Sequence, residues 1–315
     1  MAKSKYNKFQ SVNIFSQTFQ MLLKMFFCLG VSTSIENTVF ADLIQRPVSY
    51  SDVSVNLSIS YCVFYRCQSD TGDGGAILFT STTSGSIVMT MVCGYGCSSL
   101  KNYGQFGFFH VKPNCSNSAS LLSIAMSSPS SSKGYHSPVC FYDGDQNIKG
   151  VNISYCYPQY WSGIGFGYSK NSTFSYSQVF STYTIGYLCT LFSFKGTFYT
   201  KCVNYVNNSQ NSASFGTITE TSTVTSTMEE CVFDKNTNSK NKYLFYADSG
   251  YIVLVNCNIQ SGVSLHRVNT SNNFGVTSIP LYDLYSTHEC RSELKVPTPR
   301  FSTNIKSIIY FVVFM

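Results

Sequence analysis

The chain has 315 residues, of which 11% are charged and 16% aromatic, with a formal net charge of +6. Disordered chains are charged and poor in aromatics, which excludes disorder. Lysines and arginines form no dense run beyond the first eight residues, which argues against a nucleic-acid-binding face.

Residues 1–50 are expected to form a leader or an N-terminal cap. The opening twenty residues are polar and basic. Met21–Val31 then supplies an apolar stretch about as long as a signal-peptide core, followed by the small residues Ser32, Thr33 and Ser34. Lys24 interrupts the run, and an amphipathic helix closing the end of a repeat fold is the alternative. The run falls well short of the ~20 apolar residues that cross a bilayer.

Residues 51–290 carry a repeat of short apolar strands separated by Ser-Gly or Lys-Gly turns. Gly75–Thr80 precedes Ser86–Cys93, Tyr187–Phe194 precedes Thr197–Cys202, and Lys242–Ala247 precedes Tyr251–Cys257. Copies starting near residues 75, 106, 138, 163, 187, 213 and 242, with one more around 51–67, predict about eight coils. Each copy has one or two apolar residues per face and could not fold alone. Stacking like residues on like makes one interior column. The predicted fold is therefore all-β, a right-handed parallel β-helix, in preference to an antiparallel meander of hairpins. Residues 291–315 are expected to be a linker, marked by Val296-Pro-Thr-Pro-Arg300, and a short apolar tail, Ile308–Met315.

Five coils end in an apolar residue, two residues and a cysteine. On that pattern Cys62, Cys156, Cys202, Cys231 and Cys257 occupy equivalent positions just past the second strand, at a tight interior corner. A column of buried free thiols is the plain expectation. Disulfides between adjacent coils, or within loops at Cys93/Cys97 and Cys62/Cys67, are the rival. Zinc knuckles would need paired Cys-x-x-Cys spacings, which are missing. Six Asn-x-Ser/Thr sequons, at Asn56, Asn114, Asn152, Asn171, Asn207 and Asn269, weakly favour a secretory route.

Gly74-Gly75-Ala76-Ile77, preceded by Cys62-Val-Phe-Tyr-Arg-Cys67, resembles the Gly-Gly-Ala-Ile box of right-handed β-helix proteins of the polymorphic outer-membrane protein type. Phe233-Asp-Lys-Asn236 is similar to their Phe-x-x-Asn box. Cysteine-containing coils of this kind also occur in surface proteins of parasitic protists such as trichomonads. The resemblance spans roughly residues 50–262. It implies a secreted or cell-surface protein of adhesin type, and leaves membrane attachment open.

Catalysis on a β-helix uses clustered carboxylates with a basic partner. Asp143-Gly-Asp145 reads as a β-turn, and Asp70-Thr-Gly-Asp73-Gly-Gly75 fits neither an EF-hand loop nor a calcium nonapeptide. His110, His136, His266 and His288 stand alone, and Asn147-Ile-Lys149 lacks the partners of a pectin hydrolase. No catalytic, cofactor-binding or metal residue is assigned. The expected function is a non-catalytic surface or secreted adhesion and display module. Its partner would be a host-cell protein or glycan, with no nucleic acid and no cofactor. The alternative is a carbohydrate-active β-helix enzyme whose carboxylates, among Asp143, Asp145, Glu230 and Asp234, would have to converge beside a Lys or Arg. Tyr155, Tyr157, Tyr160, Trp161, Tyr168, Tyr176 and Tyr183 could stack on sugars or a protein, although aromatics ordinarily fill and coat strands.

Overall fold

A computed structural model describes residues 32–273, apart from 52–53, 82–83, 101, 126–135, 170, 185–190, 212–214, 221–224 and 241–242. Its described residues contain strands and turns and no helix, wound into a parallel β-solenoid of about seven turns, close to the eight expected. Every strand pair is parallel. One sheet of 15 strands and one of nine form its main faces. The first described strand, Ser32–Glu36, already pairs with Asn56–Ser60, so the ladder reaches into the segment expected as leader or cap. Met21–Val31, the 290 boundary and the C-terminal tail lie outside the described residues.

One coil shows the plan. Ser86–Tyr95 runs along the larger sheet, bends at Met91 and again at Gly96, and passes through the bridge Ser98–Ser99. It then reaches Gly107–His110 in the nine-stranded sheet. Both bends lie in the left-handed region of φ. At the first bend, Asn37, Tyr61, Met91, Tyr176, Cys202, Glu230 and Asn256 have φ between 47° and 54°. At the second stand Asp42, Arg66, Gly96, Tyr155, Ser181, Asn207 and Lys235. A non-glycine residue there costs about 1 kcal/mol. The cost is offset because each bend keeps its ladder hydrogen bond, as when Tyr61 N donates to Thr90 O at 3.0 Å.

The interior is a set of vertical columns. In the nine-stranded sheet Tyr50, Phe79, Phe109, Phe141 and Phe166 are successive register partners and point inward. Phe141 stacks on Phe109 at 5.1 Å and on Phe166 at 5.9 Å. Across the solenoid, Ile59, Met89, Ala119, Ile148 and Phe174 form the opposing column. Each buried aromatic removes an apolar surface worth roughly 2–3 kcal/mol from water, and only stacking makes that removal complete.

The cysteines occupy three positions, not one. Cys62, Cys231 and Cys257 follow the first bend, whereas Cys156 follows the second, together with Cys67 and Cys97. Cys202 is itself a first-bend residue, with φ 53°. The cause is that each coil makes the same apolar–x–bend–small turn twice, so Ile59-Ser60-Tyr61-Cys62 and Ile153-Ser154-Tyr155-Cys156 look identical in sequence. Cys93 is disulfide-bonded, and the other nine cysteines in the described region are free. The loop pairs Cys93/Cys97 and Cys62/Cys67 do not form, since Cys62, Cys67 and Cys97 keep their thiols.

The Gly-Gly box has a local cause. Gly74 has φ +69°, and a Cβ there would overlap the carbonyl of Ile77. A Cβ on Gly75 would overlap the carbonyl of Gln105 in the next coil. The box therefore combines a left-handed turn within one coil with a close approach to the next, just before the nine-stranded sheet.

Candidate binding surface

The outer face of the nine-stranded sheet carries an aromatic shelf. Two outward columns define it. Leu78, Phe108, Cys140 and Gly165 stand in register, and beside them run Thr80, His110, Tyr142 and Gly167. The loops entering these strands add Tyr103, His136, Tyr160 and Trp161. Phe108, Cys140 and Trp161 are buried at the base, with Tyr103, Tyr142 and Tyr160 packed partly exposed around them.

Two glycines lie beneath this layer, and one of them makes room for it. A Cβ at Gly165 would lie 3.5 Å from Cys140 Sγ and 3.6 Å from Trp161 Cε3. A Cβ at Gly167 would overlap the Tyr142 ring. The absent side chain at Gly167 lets the Tyr142 ring lie against the backbone of the sheet, whereas Gly165 meets its neighbours at ordinary contact distance. His136 stacks on Tyr103 at 4.1 Å and 12°, and lies 4.8 Å from Trp161. Tyr103 packs at 5.5 Å from Trp161 and 5.9 Å from Phe108. Tyr168 extends the shelf 6.4 Å from Tyr142, with Lys195 Nζ 5.1 Å above its ring. It is 47% exposed, the most open ring of the group.

The rim is polar. His110 Nε2 pairs with Asp143 Oδ2 at 2.7 Å. Asp73 accepts from Tyr103 N at 2.9 Å, and burial raises its carboxyl above the ordinary range. Burial also holds the phenols of Tyr103 and Tyr142 above their usual value, so both remain hydroxyl donors. Burial pushes the His136 imidazole down to about 4, which keeps it neutral at pH 7. The Cys140 thiol is pushed up to about 12 by burial, despite Ser137 Oγ at 2.7 Å, and a protonated thiol with no exposed surface is no nucleophile.

A second polar cluster lies on the larger sheet. Lys201 Nζ stands 2.8 Å from Glu229 Oε1 and 3.7 Å from Glu230 Oε2. The Tyr199 hydroxyl donates to Glu229, and Cys202 Sγ donates to Glu230 Oε2 at 3.2 Å. Lys201 and then Tyr199 hold the Glu229 carboxyl below its ordinary range.

The carboxylates of the enzyme reading do not meet. Asp143 faces His110, Asp145 accepts from Asn171 at 3.2 Å, Asp234 lies 3.8 Å from Lys235, and only Glu230 joins Lys201. Among the described residues no group of three His, Cys, Asp or Glu side chains could hold a metal ion, and no helix is long and apolar enough to cross a membrane. Of the aromatics singled out from sequence, Tyr160, Trp161 and Tyr168 belong to the shelf. Tyr155 lies instead against Phe180, Tyr176 under Lys149, and Tyr183 in a separate small sheet. Sequence reading missed Tyr103, Phe108, His136 and Tyr142. The signal for Phe108 and Tyr142 was an aromatic at the second or fourth place of consecutive strands, visible only once the coils are in register, whereas Tyr103 and His136 come from loops. His266 stacks on Tyr246 at 4.7 Å, and His288 lies outside the described residues. No family model matches the chain, and no curated protein or solved structure is similar to it.

Proposed function

We propose that this chain is a non-catalytic adhesion module, secreted or displayed on a cell surface, which holds a glycan of a host cell against its aromatic shelf. The observation carrying this reading is the juxtaposition of partly exposed aromatic rings with hydroxyl donors and carboxylate acceptors on one sheet face. Sugars present C–H faces to aromatic rings and hydroxyls to just such acceptors. The resemblance of Gly74–Ile77 to the box of polymorphic outer-membrane-type proteins, including those of trichomonads, supports a surface role. Five sequon asparagines, Asn56, Asn114, Asn171, Asn207 and Asn269, are exposed and open to glycosylation on a secretory route, while Asn152 is buried.

Trp161 is the sole tryptophan and sits in the shelf, so its emission reports occupancy directly. Titration of the full chain with a panel of soluble neutral and amino-sugar oligosaccharides should give a saturable change in that emission. Saturation with none of them, or capture of a host protein in their place, overturns the glycan reading. The second reading, a carbohydrate-active enzyme, is favoured only by Glu229 and Glu230 beside Lys201. Release of reducing ends or unsaturated products from the same panel, abolished by Glu229→Gln, would establish it instead.

A further inference from the structure

Two pairs of buried thiols lie directly above one another on adjacent coils. Cys67 and Cys97 are flanked by the register partners Tyr65/Tyr95 and Gln68/Ser98, and Ser98 N donates to Cys67 O at 3.0 Å. Cys231 and Cys257 are flanked by Glu229/Val255 and Val232/Asn258, and Asn258 N donates to Cys231 O at 2.8 Å. Cys67 Sγ and Cys97 Sγ point alike, to Phe40 O at 3.6 Å and Phe64 O at 3.4 Å, each a carbonyl of the coil below. All four side chains have no exposed surface. Strands in register lie about 4.8 Å apart, inside the Cα separation a disulfide spans. At other cysteines of these two corners the register places a different side chain: Val92 above Cys62, Thr182 above Cys156, and Glu230 beside Cys202.

The placement of the pairs is as informative as their geometry. One joins coils near the N-terminal end of the described ladder and the other joins coils near its C-terminal end. A solenoid has no contacts beyond its nearest neighbours, so it opens from its ends. A covalent link one rung in from each end of the described ladder opposes the spread of that opening into the middle.

We propose that Cys67–Cys97 and Cys231–Cys257 are sites of oxidation to two disulfide staples that lock adjacent coils near the two ends of the described ladder. The oxidant is a small-molecule disulfide of the glutathione class. One cysteine thiolate attacks it, forming a mixed disulfide and releasing one thiol. The second cysteine then displaces the other half, forming the protein S–S bond. For each staple the protein loses two electrons and two protons, and one molecule of oxidant leaves as two thiols. Exchange belongs to the stage before each corner closes, because all four thiols have no exposed surface once folded and a disulfide reagent could not reach them. The staples formed this way are then sealed from reductant.

The full chain, unfolded and reduced, would be refolded in mixed reduced and oxidised glutathione, alkylated, digested and mapped by mass spectrometry. Peptides linking Cys67 to Cys97 and Cys231 to Cys257 are expected. The melting midpoint should rise by roughly 5–10 °C over the reduced protein, and the links should resist reductant until the chain unfolds. Cys97→Thr and Cys257→Ser test each staple with residues the same columns already hold, at Thr182 and Ser177. Each should remove only its own link and its share of the shift, leaving the reduced midpoint nearly unchanged. Full alkylation of these four thiols after oxidative refolding, or links to other cysteines, overturns the proposal. Mapping of the unaltered chain decides even if a variant does not fold.

Discussion

Asn208 donates from Nδ2 to Asn236 Oδ1 across 3.0 Å, one coil apart in the corner that Cys67, Cys97 and Cys156 fill lower in the ladder. Both asparagines also donate to the strand of the coil below. Asn208 reaches Val179 O at 2.9 Å, and Asn236 reaches Tyr205 O at 2.7 Å. Cys97 Sγ points to the equivalent carbonyl of Phe64 at 3.4 Å. Thr182 Oγ1 completes the ladder by donating to Asn208 Oδ1 at 2.9 Å. The corner thus demands a small inward donor, and thiol, hydroxyl and amide all satisfy it. Asn208→Ala would leave Thr182 and the Val179 carbonyl buried without their partner. It should lower stability by about 2–4 kcal/mol. Asn208→Cys, which restores a donor, should recover part of that loss. Urea titration of the three proteins measures both, and equal midpoints for wild type and Asn208→Ala would refute the ladder.

The same corner shows how far the sequence could be read. Parallel stacking, the position of most strands and the interior placement of cysteines were legible, because apolar spacing and Gly turns repeat with the coil. The register of the cysteines was not. Two bends per coil have one sequence signature, and a bend tolerates Tyr61, Cys202 or Glu230 in place of glycine, so nothing local separates them. The aromatic shelf was legible only in part. Trp161 and Tyr168 stood in an aromatic run, but Tyr103 and His136 arrive from loops of other coils, and proximity across coils is not written in spacing.

Two glycines with nearly the same backbone separate steric crowding from backbone strain. Gly74 and Gly262 have φ of +69° and +72°. A Cβ at Gly262 meets nothing within 4 Å, whereas one at Gly74 overlaps Ile77 O. Gly262→Ala should cost about 1 kcal/mol, the price of the left-handed conformation alone. Gly74→Ala adds a backbone collision inside the ladder and should cost more than about 3 kcal/mol. Denaturant midpoints measured side by side test the ranking; comparable losses would contradict it.

His136 should make the protein acid-sensitive. Burial among Tyr103, Tyr160 and Trp161 depresses its folded value to about 4, against about 6.5 in an unfolded chain. Between those values the unfolded state binds more protons, so stability from this group is complete above about pH 6.5 and falls as pH drops towards 4. Below that the contribution is flat. His136→Phe keeps a ring against Tyr103 and removes the titration. Melting midpoints from pH 4 to 7 should fall less steeply for the variant, and parallel curves would show that His136 does not titrate in this window.

Tyr168 and Tyr142 should separate binding from stability on the shelf. Tyr168 is 47% exposed and touches the shelf at its edge, so Tyr168→Ala should shift stability by no more than about 0.5 kcal/mol. It removes the most open ring face, and a lost stacking platform should weaken glycan binding roughly 10-fold or more. Tyr142 lies flat over Gly167 and packs against Phe108 at 5.3 Å, so Tyr142→Ala should cost about 2–4 kcal/mol as well as binding. Gly167→Ala reaches the same end from beneath, by lifting the Tyr142 ring. Trp161 emission titrations and thermal melts on the three variants check the split. Unchanged glycan affinity in a folded Tyr168→Ala protein would remove the shelf from recognition, whatever its part in holding the coils together.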